Sequence, residues 1–520
     1  MTVTALPATP DRTFIAELLA DIRSTTGEQF VAESPITAAA LADIPRSSPD
    51  DVTAAFAAAH RAQSRWAALS VKERGRILLR FHDLVLEHRD QGLDLVQWET
   101  GKARKDALEE LLDVCVTARY YARTARRMLK PRRIRGIFPA IVGVTQYHLP
   151  KGVVGVIAPW NYPLTIAVSD AIPALMAGNT VVVKPDSQTT LTALWVLHLL
   201  HRAGMPRGVL EIVAGEGADL GPAMVAGADY IMFTGSTRVG RIIAEQCGER
   251  LIGCSLELGG KNAMIVRADV DIDRASETAV RATYANSGQL CVSMERMYVD
   301  RAVWDRFVPA FVDKVRALRV AADVGWGADM GSLISAKQLA TVSAHVDDAV
   351  ARGATLLAGG HALPEAGPYA FAPTVLTDVT EDMTVCRNET FGPVISLYPV
   401  SGDAEAIAAA NNSEYGLNAS VLTGDVRAGV AVARQIRAGT VNVNEGYAAT
   451  WGSTRAPMGG MKDSGLGRRH GVEGLLKYTE SQSVAVQRMM GFGPPFGWSD
   501  RTWGESLTLA VKAMKTLGVD

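Results

Sequence analysis

Residues 153–159 read VVGVIAP, and the same kind of run returns as TVVVKPD (180–186), VLEIVAG (209–215) and YIMFTGS (230–236). Each is short, rich in β-branched residues and closed by a proline, glycine or polar turn, which predicts a strand. The stretches between them have helical length, as in LTALWVLHLLHRAG (191–204), read as a buried helix. Strands alternating with helices require right-handed crossovers, so the strands run parallel. A second series follows in NAMIVRAD (262–269), ERMYVDR (295–301), TLLAGG (355–360), PVISLYPV (393–400) and TVNVN (440–444). The fold class is therefore α/β, with two parallel-sheet lobes.

Working outward, the first 130 residues are helical in pattern. Ser48-Pro49-Asp50-Asp51 supplies a cap, a proline at the first helical position and acidic first-turn residues, and Ser70-Val71-Lys72-Glu73 is a capping box. These helices are expected to form an amphipathic outer layer. Beyond 488 the chain is rich in Gly, Pro and aromatic residues and closes on SLTLAVKAMKTLG, a short amphipathic helix expected to dock on the body or on a partner subunit.

A chain of 520 residues exceeds one hydrophobic core, and 53 basic residues against 55 acidic ones point to a small-molecule partner, not to nucleic acid or an anionic membrane. No uncharged apolar run reaches the roughly 18–20 residues of a spanning helix. The five cysteines, Cys115, Cys247, Cys254, Cys291 and Cys386, form no CxxC pair, and the N-terminus has no charged region followed by an apolar core. A reducing cytoplasm is the expected location. No His/Cys cluster has metal-ligand spacing, so no metal is expected.

Several motifs carry chemistry. Gly215-Glu216-Gly217-Ala218-Asp219-Leu220-Gly221 follows a strand but has one residue too many for a dinucleotide fingerprint, and reads as an ordinary turn. In Phe233-Thr234-Gly235-Ser236-Thr237-Arg238-Val239-Gly240 a strand ends in glycine and a Ser-Thr pair opens a helix, which suits a pyrophosphate. Pro159-Trp160-Asn161-Tyr162-Pro163 lies at the carboxyl end of a strand, where open α/β sheets bind ligands. Asn161 there is either an Asx-turn residue or an amide donor. Glu257 stands alone among apolar residues in LELGGKN (256–262), where desolvation would raise its pKa and suit it to general base work. Cys291 sits in the polar NSGQLCVS (286–293), unlike a buried core cysteine.

PWN, FTGS, ELGGKN and GQLC in that order, then NETFGPV (388–394) and SGLGR (464–468), make the chain resemble the aldehyde dehydrogenase superfamily over nearly its whole length. The resemblance implies Cys291 as nucleophile, Glu257 as general base, Asn161 as oxyanion donor and Glu389 on the nicotinamide ribose. Gly288 would let backbone approach the substrate. The implied cofactor contacts are Trp160, Asn161, Lys184, Pro185, Asp186, Ser187, Gly235, Ser236, Thr237, Leu258, Glu389 and Phe391. It also implies a cofactor-binding domain (1–126, 151–256 and about 445–478), a catalytic domain (257–444), a protruding β oligomerisation arm (127–150 and 479–495), a tail (496–520), and a homodimer or homotetramer.

NAD-preferring relatives often carry glutamate where this chain has Ser187. Its absence removes a repulsion, and Lys184 can pair a 2′-phosphate, so NADP is expected over NAD. PWNYPLTIAVSDAIPAL and NSGQLCVSMERMYV resemble the branch that oxidises succinate semialdehyde with NADP. Two positions depart from it: an Arg-Lys pair is replaced by Ser169-Asp170, and a second cysteine by Ser293. Arg296, Arg455 or Lys462 would then have to hold a substrate carboxylate. The alternatives are a dehydrogenase for neutral aliphatic or aromatic aldehydes and a cofactor-free thiol hydrolase, which would need a histidine that none of these motifs contains.

Overall fold

The computed structural model describes residues 10–135, 142–447, 452–488 and 493–518. The parts of the expected arm at 136–141 and 489–492, and of the expected cofactor domain at 448–451, lie outside the described residues.

The first series of strands forms one six-stranded sheet in the order Gly465–Leu466, Gly253–Glu257, Tyr230–Thr234, Val153–Ile157, Thr180–Lys184, Leu210–Ile212. All neighbours are parallel except the Gly465–Leu466 edge, which runs antiparallel to Gly253–Glu257. The chain enters at Val153–Ile157, steps outward to one side, then returns to the other at Tyr230–Thr234. That reversal opens a crevice at the carboxyl ends of these two strands. The PWN loop follows one strand and the FTGS turn follows the other, so topology brings both to the same crevice. The four strands from 153, 180, 230 and 262 are buried at every position, as expected where helices cover both faces.

The second sheet has seven strands in the order Thr355–Ala358, Thr374–Thr377, Val394–Val400, Met294–Asp300, Asn262–Val266, Asn418–Leu422, Thr440–Val443. It is parallel apart from the Thr355–Ala358 edge. Cys291 lies in the loop that enters Met294–Asp300. Three strands escape the sequence pattern: Gly253–Glu257, Thr374–Thr377 and Asn418–Leu422. GCSLE and NASVL open on small or polar residues of low strand propensity, and burial between neighbours overrides it.

Both caps form as expected, with Ser48 and Ser70 each in a reciprocal capping box. Two expectations for this region change. Residues 29–45 form a hairpin, Gln29–Ser34 with Ala39–Pro45, in place of helix; Ser34 Oγ ties it to the Trp98 carbonyl at 2.9 Å. The helix Arg104–Met128 is central, not outer. Its Asp106, Glu110 and Asp113, which an outer amphipathic helix would turn to solvent, are buried. A polar stripe on a helix marks water or a polar cavity equally well, and here it meets a cavity.

A separate antiparallel sheet joins Arg132–Ile134, Val142–Pro150 and Thr479–Gln487, the last two paired from Thr479↔Pro150 to Gln487↔Val142. The tail helix Asp500–Thr516 buries none of its side chains. Among the described residues no helix is long and apolar enough to cross a membrane.

Candidate active site

Asn286, Ser287 and Gly288 have φ of 51°, 56° and 69°, three successive left-handed residues just before Cys291. For residues other than glycine this costs energy and persists only where surroundings impose it. Here they do. Asn286 N–H donates to Asp106 at 3.1 Å, and its side-chain amide to the Asn161 and Gln289 carbonyls at 3.0 Å each. Ser287 Oγ donates to the Gly331 carbonyl at 2.9 Å, and Gln289 Oε1 accepts the Ile334 N–H at 2.9 Å.

Gly288 is not among the residues lining the cavity beside Cys291. A Cβ on it would lie 2.1 Å from the Gly392 carbonyl oxygen, so its task is to let the cysteine loop press on the NETFG loop. Gly288→Ala combines a left-handed strain with a backbone clash and should destabilise by about 2–4 kcal/mol, read as a lowered Tm; an unchanged Tm would contradict this packing.

Cys291 is half-buried, and its carbonyl accepts the Asn262 side-chain amide at 2.8 Å. Burial first, then repulsion by Glu389 and Glu257, pushes its thiol up to about 12. It lines a cavity with Asn161, Tyr162, Ile166, Tyr447, Met458 and Arg469. Asn161 is buried, its Nδ2 donating to the Gln289 carbonyl at 3.1 Å. Its own carbonyl accepts Lys102 Nζ at 2.7 Å. Lys102 is also ion-paired with Glu110, which accepts the Leu164 and Thr165 N–H groups at 2.9 and 3.2 Å. Lys102, in the turn before the helix Arg104–Met128, and Glu110, on that helix, thus fix the PWN loop.

Glu257 ends its strand fully enclosed, and neither carboxylate oxygen has a hydrogen-bond partner. Desolvation raises its pKa to about 8, against the pull of Arg469 and Lys477. A base at that value holds a proton at low pH and takes one readily above it.

Trp160 and Phe391 meet edge to face at 5.4 Å. Glu389 Oε1 accepts the Gly260 N–H at 2.8 Å, and a Cβ on Gly259 would reach Glu389 Oε2 at 2.4 Å. Burial, then repulsion by Glu295, raises Glu389 to about 8. Glu295, paired with Lys261, also accepts the Thr390 and Phe391 N–H groups, anchoring this loop. Leu258 packs where Gly240 leaves no room for a Cβ.

On the other side, Gly235 N–H donates to the Glu257 carbonyl at 3.0 Å. Ser236 Oγ caps the helix Thr237–Glu249 through Val239, and Thr237 Oγ1 donates to the Asp463 carbonyl at 3.1 Å. Lys184 is buried with Nζ on the Pro185 carbonyl at 2.7 Å, and Asp186 accepts the Gln188 N–H at 3.0 Å. Ser187 Oγ donates to Glu216 at 3.0 Å.

Arg296 is spent on backbone carbonyls of Lys261, Ala409, Ala410 and Asn412, and Lys462 on Asn411 and Ser413. Neither they nor Arg455 line the cavity. The cation that does is Arg469, whose Nε pairs with Asp170 at 2.9 Å. Ser169 is not in the lining; it donates to Asp113, which is, at 2.7 Å. His470 also lines the cavity, though it lies far from Cys291 in sequence, and burial with Arg469 beside it drives its pKa down to about 3. Both residues sit in GRRHG (467–471), a stretch that carries no reading of its own along the chain.

A family model described as the aldehyde dehydrogenase family matches residues 22–484. A Mycolicibacterium smegmatis protein named "Putative succinate-semialdehyde dehydrogenase", with NADP(+) in the same name, is 54% identical over 485 residues, 93% of this chain and 94% of its own. An Escherichia coli structure titled as an NADP dependent enzyme superposes with a TM-score of 0.86 at 34% identity, covering 90% of this chain and 96% of that one. The NAD+ complex of a Bacillus cereus aldehyde dehydrogenase gives 0.87 at 34% identity, covering 93% and 100%. On the ordered motifs, the doubly wound sheet and this match to most of its length, the chain belongs to the aldehyde dehydrogenase family.

Proposed function

We propose that this protein oxidises an aldehyde to its carboxylic acid with NADP, using Cys291 as nucleophile, and that succinate semialdehyde is its substrate. The observation that carries the chemistry is one cavity holding Cys291 and Asn161, with the unpartnered carboxylate of Glu257 within electrostatic range of the sulfur.

The resting thiol is neutral, since burial holds it far above pH 7. As Sγ bonds to the aldehyde carbon, its proton leaves through water to solvent and the carbonyl oxygen becomes an oxyanion. The Asn161 amide and the Cys291 N–H receive that charge. NADP, when bound, supplies the acceptor for the hydride, leaving a thioester on Cys291. For hydrolysis Glu257 has to be ionised, its proton released to solvent, which Arg469 and Lys477 favour by stabilising the anion. It then draws a proton from water; the hydroxide adds to the thioester, the C–S bond breaks, the departing thiolate takes that proton from Glu257, and the acid leaves.

The residues along the crevice suit a phosphorylated dinucleotide in their donor set: the buried ammonium of Lys184, the Ser187 hydroxyl and the open amides after Gly235, together with Glu389 and the Trp160–Phe391 pair. For a cofactor-free thiol hydrolase the base would be His470, and an imidazole with its pKa near 3 is a poor one.

The substrate reading rests on the name of the relative and on Arg469, whose two η nitrogens make no hydrogen bond among the described residues and can receive a carboxylate. A second reading, a neutral aldehyde, draws on the aromatic and aliphatic walls and on Glu109 and Asp113 in the same lining. Initial rates with succinate semialdehyde and with butanal, its neutral analogue, decide between them. The acid should win at least about tenfold in kcat/KM; parity or preference for butanal selects the second reading. We also read the Thr479–Gln487 strand, an exposed edge of its sheet, as an arm that pairs with a second copy in a homodimer or homotetramer.

A further inference from the structure

The turn Gly215-Glu216-Gly217 carries no role in the chemistry above. It leaves the strand Leu210–Ile212, whose parallel neighbour Thr180–Lys184 leads into Pro185-Asp186-Ser187. Two strand ends side by side place their following turns together, and Glu216 reaches Ser187 Oγ at 3.0 Å. Glu216 is exposed while Lys184 is buried, and the carboxylates of Asp186 and Glu216 both act on the Lys184 ammonium. A carboxylate is therefore present where Ser187 had seemed to remove one; it comes from the next turn.

We propose that Glu216 sets the balance between NADP and NAD in this protein, restraining its preference for NADP. The proposal rests on the cofactor reading given above. A 2′-phosphate seeks the same donors that Glu216 already engages, the Ser187 hydroxyl and the Lys184 ammonium. It also brings about two negative charges to a cluster where one cation faces two anions. Binding NADP requires Glu216 to give up Ser187 and to tolerate a like charge. A ribose 2′-hydroxyl makes the opposite demand: it donates, and a carboxylate accepts. One side chain thus penalises the phosphate and rewards the hydroxyl, which is how discrimination is built by repulsion as well as attraction. The overall likeness of the chain does not decide the matter, since the NADP dependent enzyme and the NAD+ complex superpose almost equally well.

The test uses full-length protein and two nucleotide fragments, 2′,5′-ADP and 5′-AMP, titrated calorimetrically into wild type and Glu216→Gln. Glutamine keeps the size and removes the charge, at an exposed turn position where folding is insensitive. The expected result is about tenfold tighter binding of 2′,5′-ADP by the variant, with 5′-AMP unchanged or weakened up to about threefold. The ratio of kcat/KM for NADP over NAD should rise by the same combined factor. Equal shifts for both fragments, or none, would overturn the proposal while leaving the dehydrogenase reading intact. If wild type bound neither fragment, the cofactor reading would fall and the proposal with it.

Discussion

Cys291→Ala should abolish aldehyde oxidation, lowering kcat by on the order of 10⁴-fold or more, because no other group in the cavity can form the covalent bond. The loss is chemical, not structural. The loop around Cys291 is held by the backbone and amide bonds of Asn286, Ser287, Gln289 and Asn262, none of which uses the sulfur. The variant should therefore keep its Tm within a degree or two of wild type and still bind the 2′,5′-ADP fragment. Residual oxidation above about 1% of wild type would show that Cys291 is not the nucleophile. A collapse of Tm would show that the sulfur supports the loop after all.

Glu257→Gln should separate the two halves of the reaction. The thioester should still form but hydrolyse slowly, so kcat falls by about 10²–10⁴-fold. Intact-protein mass spectrometry should show the acyl group accumulating on Cys291. Steady turnover without accumulation would remove Glu257 from the hydrolytic step. The pH dependence follows in sign from the burial of Glu257. Its carboxyl titrates near 8, and only the ionised form takes a proton from water. Hydrolysis should rise with pH up to about 8 and level off above it. In the glutamine variant that dependence should vanish, because the titrating group is gone.

Much of this was legible along the chain. The β-branched runs at 153–159, 180–186 and 230–236 announced their strands because strands buried on both faces admit little else. Glu257 stood out as a lone carboxylate among apolar residues, Cys291 as a cysteine in a polar, glycine-containing stretch, and Asn161 as an amide between two prolines at the end of a strand. The strands 253–257 and 418–422 did not, since small and polar residues at the start of a strand look like a turn until their neighbours are known.

What stayed hidden depended on long-range pairing. Lys102 and Glu110 brace the PWN loop from more than 50 residues upstream. Arg469 and His470 arrive from the far end of the chain to line the wall beside Cys291. Gly288 is required by the carbonyl of Gly392, about a hundred residues away.

The sequence by itself determined the α/β class, the order of the motifs and the chemical type of each reactive group, because these follow from local composition and periodicity. Only the tertiary structure decided which charges share a space. The polar face of the helix Arg104–Met128 turns to the cavity instead of to water. Ser187, read alone, lacked a carboxylate, and the parallel pairing of two strands brings Glu216 to it. Electrostatic interaction depends on distance through space and on burial, and neither is written in the spacing of residues along the chain.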